Sequence, residues 1–211
     1  MTQPLREPPA LHDRAIQDLS FIRRTMEGAT SFTDVSGRGL ALIGLTALGT
    51  AALASQQPTL ARWLAVWLAE AAFAASLSLA MTLRKMRRRQ PDGAGLSLPA
   101  RKFLLAFWPA IAAGAVITLA LMTSFAGAAP SAPPGRAATL LAGIWLLLYG
   151  VGVMGAGAFS VRAVPLLGLV FIALGVLTLL LPAIPADLML AAGFGVAQIV
   201  VGIHITRSYG G

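Results

Sequence analysis

The chain has 211 residues, of which 57% are hydrophobic and 11% charged, with a formal net charge of +8 and a mean hydropathy of +0.77. Soluble domains carry about 25% charged residues, so a water-soluble fold could not cover this much apolar surface. The absence of cysteine excludes disulfides, thiolate metal sites and thiol nucleophiles, and no basic, aromatic-interleaved soluble module is present to bind nucleic acid.

Residues 1–36 form a polar head containing Arg6, Arg14, Arg23 and Arg24. Within it, Leu11, Ala15, Ile16, Leu19, Ile22 and Met26 share one helical arc, while Asp13, Asp18, Arg24 and Glu27 lie largely elsewhere and Phe21 falls off the arc. This pattern predicts an amphipathic helix over about 11–28 that lies on the inner leaflet or across the inner mouth of the bundle. A partner-binding helix is the alternative. Ser31 and Asp34 then fit a capping box ahead of an apolar helix. The same string approaches the Phe-Ser-Asp signature of a six-helix potassium-channel family, but Val35-Ser36-Gly37-Arg38 departs from that family's apolar run.

Six apolar runs follow, at about 40–55, 60–83, 103–128, 137–160, 164–181 and 188–205, each long enough for a membrane-spanning helix. The first closes on Ala52 and Ala54, an A-x-A pattern of signal-peptidase sites, but the long polar head and five further runs favour an uncleaved anchor. The second stops at Arg84-Lys85-Met86-Arg87-Arg88-Arg89, and the third ends in the proline-rich stretch from Pro130 to Gly135. Arg162 separates the fourth from the fifth, Pro182-Ala183-Ile184-Pro185 separates the fifth from the sixth, and 207–211 form a short tail. With the N-terminus inside, the head arginines, Arg38, the 84–89 cluster, Arg101, Lys102, Arg162 and Arg207 all fall on the inner side. Only Arg62 and Arg136 fall outside. The positive-inside rule therefore agrees with hydropathy on six spans with both termini cytoplasmic.

Glu70 is the acidic residue nearest the middle of an apolar run. A charge there costs about 3 kcal/mol on an insertion scale, so its side chain is expected to face the bundle interior. Trp63, Trp67, Glu70 and Ala74 are spaced to lie along one face of a helix. Gln198 and Tyr149 lie at comparable depth, as does Thr118. Glu70, Gln198 and Tyr149 could form a protonatable or cation-binding site, or Glu70 could serve as a neutral hydrogen-bonding link between helices. Gly150-Val151-Gly152-Val153-Met154-Gly155 spells a dinucleotide fingerprint, but it sits inside an apolar run without the strand that motif requires. Gly152 with Ala156, and Ala191 with Gly195, read instead as small surfaces for helix packing. His12 and His204 have no second metal ligand at useful spacing.

Several strings carry a likeness as a set: Phe21 to Glu27, Ser31-Phe32-Thr33, Trp63 to Glu70, Trp145 to Gly150, Gly157 to Arg162 and Ala191 to Gly195. Together they resemble an uncharacterised group of bacterial multi-span membrane proteins, from about residue 18 onward. The resemblance implies a bacterial inner-membrane address and supplies no substrate. Asp34 stands where that group is expected to carry a small apolar residue.

The sequence thus predicts an all-α integral membrane bundle of six transmembrane helices over 37–206 with an N-terminal amphipathic interfacial helix. It is expected to be no enzyme and to need no metal or cofactor. Membrane lipids are the expected partners, with homo-oligomerisation or a protein partner through the amphipathic helix and no nucleic acid. The expected role is structural, sensory or accessory, and the alternative is a small transporter or channel subunit with a pathway past Glu70.

Overall fold

Six helices long and apolar enough to cross a membrane follow one another in the computed structural model, which describes residues 16, 19, 20 and 22, 36–89, 98–124, 133–158 and 160–209. The elements assigned among these residues are all helical. Residues Met1–Ser31 are a unit of their own. Of that unit, Ile16, Leu19, Ser20 and Ile22 are described; all four are helical, and the three aliphatic side chains are exposed. The rest of the anticipated 11–28 helix, and the Ser31 and Asp34 cap, lie outside the described residues.

In the second unit, α1 runs over Gly37–Ala54 and is capped by Ser36, whose Oγ accepts from the Gly39 amide at 3.2 Å. A short turn leads to α2, Leu60–Arg89. This helix does not stop at Leu83 but continues through the basic cluster, because Arg, Lys and Met are good helix formers and the first breakers are Pro91 and Gly93. α3 spans Leu98–Ser124 and begins before the apolar run, with Pro99 in its first turn. α4 covers Gly135–Gly157. Gly135 opens it with φ of +40°, a left-handed value that glycine adopts without a steric penalty.

α5 spans Ala163–Leu180. The sixth span is composite: α6, Ala186–Leu190, widens into a π-helical segment, Ala191–Ala197, before α7 resumes at Gln198–Tyr209. Small residues at 191–193 and 195 let the backbone take the wider turn.

The tightest contacts are between backbones. α4 presents Gly143, Gly150 and Gly157, seven residues apart, to α5, which answers with Gly168 and Gly175 at the same spacing. A methyl group on Gly150 would lie 2.7 Å from the Ile172 nitrogen and 2.8 Å from the Gly168 carbonyl oxygen. The arrangement recurs between α1 and the sixth span: a methyl on Gly44 would fall 2.7 Å from the Gly195 oxygen, and one on Gly202 would fall 2.6 Å from the Gly37 oxygen. α2 packs mainly on α1, and α3 mainly on α4. Between the two glycine-lined pairs lies a core containing Trp63, Leu146, Phe171 and Leu190, all fully buried.

α2 and α3 turn most of their apolar side chains outward; Leu68, Phe73, Leu104, Leu105, Trp108 and Leu119 are exposed. Apolar surface this extensive is costly in water and free of penalty in lipid, where helices satisfy their own backbone hydrogen bonds. Six such helices are compatible with an integral membrane protein.

The glycine seams give a direct test. Gly150→Ala is expected to destabilise the protein by about 1–3 kcal/mol through overpacking, read as a lower melting temperature in detergent. Gly155→Ala, whose added methyl meets nothing within 4 Å, should be neutral or stabilise by up to about 1 kcal/mol through helix propensity.

Candidate functional site

Thr46 and Thr50 are one turn apart on α1, so their hydroxyls share a face. Glu70 reaches that face from α2: the Thr46 hydroxyl lies 2.7 Å from Oε1 and the Thr50 hydroxyl 3.0 Å from Oε2. Glu70 is half-buried in this seam. Thr46 Oγ1 also lies 2.9 Å from the Ile43 carbonyl. One hydroxyl has one proton to give. If Thr46 donates to Glu70, the carboxylate accepts from both threonines. If Thr46 donates to Ile43, a protonated Glu70 can donate back to Thr46 Oγ1. The seam therefore accommodates either protonation state through rotation of a single hydroxyl.

Gln198 and Tyr149 meet as a separate pair, with the Gln198 amide nitrogen donating to the Tyr149 hydroxyl at 3.1 Å. Gln198 is 2% exposed and its Oε1 has no hydrogen-bond partner among the described residues. Turning the amide over would exchange an orphaned acceptor for an orphaned donor. The Tyr149 ring is surrounded by Phe107, Phe171 and Phe194, with centroids 4.7 to 5.5 Å away. Of the three side chains expected to act together, the structure joins Gln198 to Tyr149 and places Glu70 with Thr46 and Thr50 instead.

A third polar group had no place in the sequence reading. Trp63 and Trp67, one turn apart on α2, both donate their indole N–H to Asp187 Oδ1, at 2.8 and 3.0 Å. Trp63 stacks on Trp145 of α4 with centroids 5.7 Å apart, and Trp145 donates to the Thr118 hydroxyl of α3 at 2.8 Å. Thr118 passes its own proton to the Gly114 carbonyl at 2.7 Å. Four helices are thus tied by two sets of hydrogen bonds joined through one ring stack. Asp187 directly follows the start of α6, where a carboxylate also complements the open amide groups of a helix N-terminus.

The packing residues sit at different contacts. Gly152 faces Phe107 and Ala110 of α3, while Ala156 is fully buried. Gly195 lies against Leu48 and Gly44 of α1, and Ala191 is half-buried against the core. Gly150 meets α5 and Gly155 meets nothing, so the G-x-G-x-x-G string is divided among three environments. Among the described residues, no three His, Cys, Asp or Glu side chains gather closely enough to hold a metal. His204 is exposed, and His12 lies outside the described residues.

No family model matches the chain, and neither the curated proteins nor the solved structures hold a significant match to it.

Thr46 and Thr50 are readable in the sequence as a hydroxyl pair one turn apart, but nothing in it turns that pair toward Glu70. Asp187 was readable as an acidic residue right after a Pro-x-x-Pro turn, but its partners lie 120 and 124 residues away. Asp187→Ala should cost about 2–4 kcal/mol, because it strands two indole N–H donors. Asp187→Asn, which keeps an acceptor oxygen, should cost less. Thermal melting of the two variants in one detergent separates these outcomes.

Proposed function

We propose that this chain is a multi-pass protein of the bacterial cytoplasmic membrane, with both termini in the cytoplasm and a structural, sensory or accessory role rather than a catalytic one. The observation that carries this reading is the use of its membrane-depth polar groups. Glu70 bonds Thr46 and Thr50, Trp145 bonds Thr118, and Gln198 bonds Tyr149, so these side chains link helices to one another. The bacterial address follows the resemblance described above. The orientation follows the cations: the 84–89 cluster, Arg101, Lys102, Arg162 and Arg207 belong to one end of the alternating spans, and Arg62 and Arg136 to the other.

In this reading the N-terminal segment lies on the inner leaflet as an amphipathic helix and engages lipid, a protein partner or a second copy. The helical state and exposure of Ile16, Leu19 and Ile22 support it. Alkaline phosphatase fused at 57 or 131 is expected to be active, and fused at 92 or 211 inactive. Activity at 92 would reject the orientation. Deleting residues 1–28 should release any co-purifying partner while insertion, read by the same fusions, persists.

A second reading, a small transporter or channel subunit with a proton or cation site at Glu70, is favoured by one feature. The Thr46 hydroxyl has two acceptors in reach and can serve both protonation states of Glu70. In proteoliposomes, that reading expects a pH-driven flux that Glu70→Gln abolishes. A flux unchanged in Glu70→Gln removes the site from the pathway.

A further inference from the structure

A cleft of about 570 Å³ opens between the first turn of α4, the last turn of α5 and the start of α6, a size typical of small-ligand sites, which run to about 300–1,000 Å³. Its lining is mixed in polarity. Arg136, Thr139 and Asp187 form the polar part, and Leu140, Leu179 and Pro182 form an apolar wall.

The acidic member is held in place before any ligand arrives. Both indole bonds fall on Asp187 Oδ1, and Trp63, fully buried and stacked on Trp145, cannot follow a swing of the carboxylate. Oδ2 makes no bond among the described residues, so its lone pairs remain for a donor entering the cleft. Arg136 is exposed and makes no ion pair among the described residues. One cleft therefore holds a fixed carboxylate and an exposed guanidinium with no ion pair between them.

We propose that this cleft binds the headgroup of a zwitterionic lipid of the phosphoethanolamine kind. The ammonium donates to Asp187 Oδ2, the phosphate takes the planar fork of the Arg136 guanidinium, and the acyl chains follow Leu140 and Leu179. A primary ammonium has three N–H donors for the carboxylate. A quaternary ammonium has none and is recognised by aromatic faces, whereas Trp63 and Trp67 turn their N–H edges to Asp187. The acyl-chain part rests on the membrane reading above; the headgroup contacts do not.

Calorimetric titration of the full chain in detergent tests the headgroup contacts. O-phosphoethanolamine should bind saturably, with inorganic phosphate and phosphocholine each at least about tenfold weaker, a difference of about 1.4 kcal/mol. Arg136→Gln, at an exposed position, and Asp187→Asn, which keeps an acceptor for the indoles, should each weaken phosphoethanolamine about tenfold or more while the far-ultraviolet dichroism stays unchanged. Phosphate binding as tightly as phosphoethanolamine, no saturable binding, or an unaffected Asp187→Asn protein overturns the proposal.

A second arm separates lipid from a soluble zwitterion. Native mass spectrometry after extraction from mixed phosphatidylethanolamine and phosphatidylglycerol bilayers should find phosphatidylethanolamine retained by the wild type and lost from Arg136→Gln. Free headgroup binding without a retained lipid overturns the lipid assignment. The alkaline phosphatase fusions report separately on insertion, so failure of the membrane reading is distinguishable from failure of this site.

Discussion

Helices immersed in an apolar solvent gain no hydrophobic drive from meeting each other, so contact must come from close packing and interhelical hydrogen bonds. The glycine seams supply the first. On α4 and α5, and again on α1 and the sixth span, glycines seven residues apart remove the side chains that would separate the backbones. Two antiparallel pairs result, each carrying a more peripheral helix: α3 on the α4–α5 pair and α2 on the pair of α1 and the sixth span. Glu70 meets Thr46 and Thr50 beside one of these pairs, whereas Tyr149 meets Gln198 between them.

The two kinds of junction differ in what meets across them. Within a pair, backbone meets backbone and even one added methyl crowds the facing helix. Between the pairs, large side chains do the work: Trp63 stacks on Trp145, Tyr149 packs on Phe194, and Phe171 packs on Phe194. A polar link runs through the same layer, with Gln198 bonded to Tyr149. In a medium of low dielectric, each such bond is stronger than in water and an unmade one is more costly. The orphaned Oε1 of Gln198 is therefore the weak point of this layer, and it lies beside the π-helical segment, where the backbone ladder itself is irregular.

The spans were legible because a membrane imposes a length of about 20 apolar residues, and that demand survives without any knowledge of contacts. Residues such as Pro182 and Pro185 also fixed the turn between the last two spans. α2 runs past its apolar span because a charge cluster marks the edge of the apolar medium and not the end of a helix. The π-helical segment left no readable mark, since Ala191, Ala192 and Gly193 suit an ordinary helical turn equally well. Gly152 and Ala156 drew attention as a four-residue spacing, whereas the seams run on a seven-residue spacing shared by four segments. Glu70 stood out by depth alone. Its partners could not be chosen from the sequence, because Gln198 and Tyr149 offered the same depth as Thr46 and Thr50.

Glu70 and Asp187 show why depth in the membrane is an incomplete guide to chemistry. Glu70 is deeper, yet both of its oxygens are taken by threonines on the adjacent helix, so little of its hydrogen-bonding capacity is left for a visitor unless Thr46 turns back to Ile43. Asp187 lies at the end of the bundle, with both of its protein donors on one oxygen and the other oxygen facing no described partner. The residue nearer to the surface is thus the better prepared to receive a ligand, and the deeper one is the better prepared to hold two helices together. The indoles of Trp63 and Trp67 make the difference: as donors without acceptor capacity, they can fix a carboxylate but cannot also fill its second oxygen from the same side.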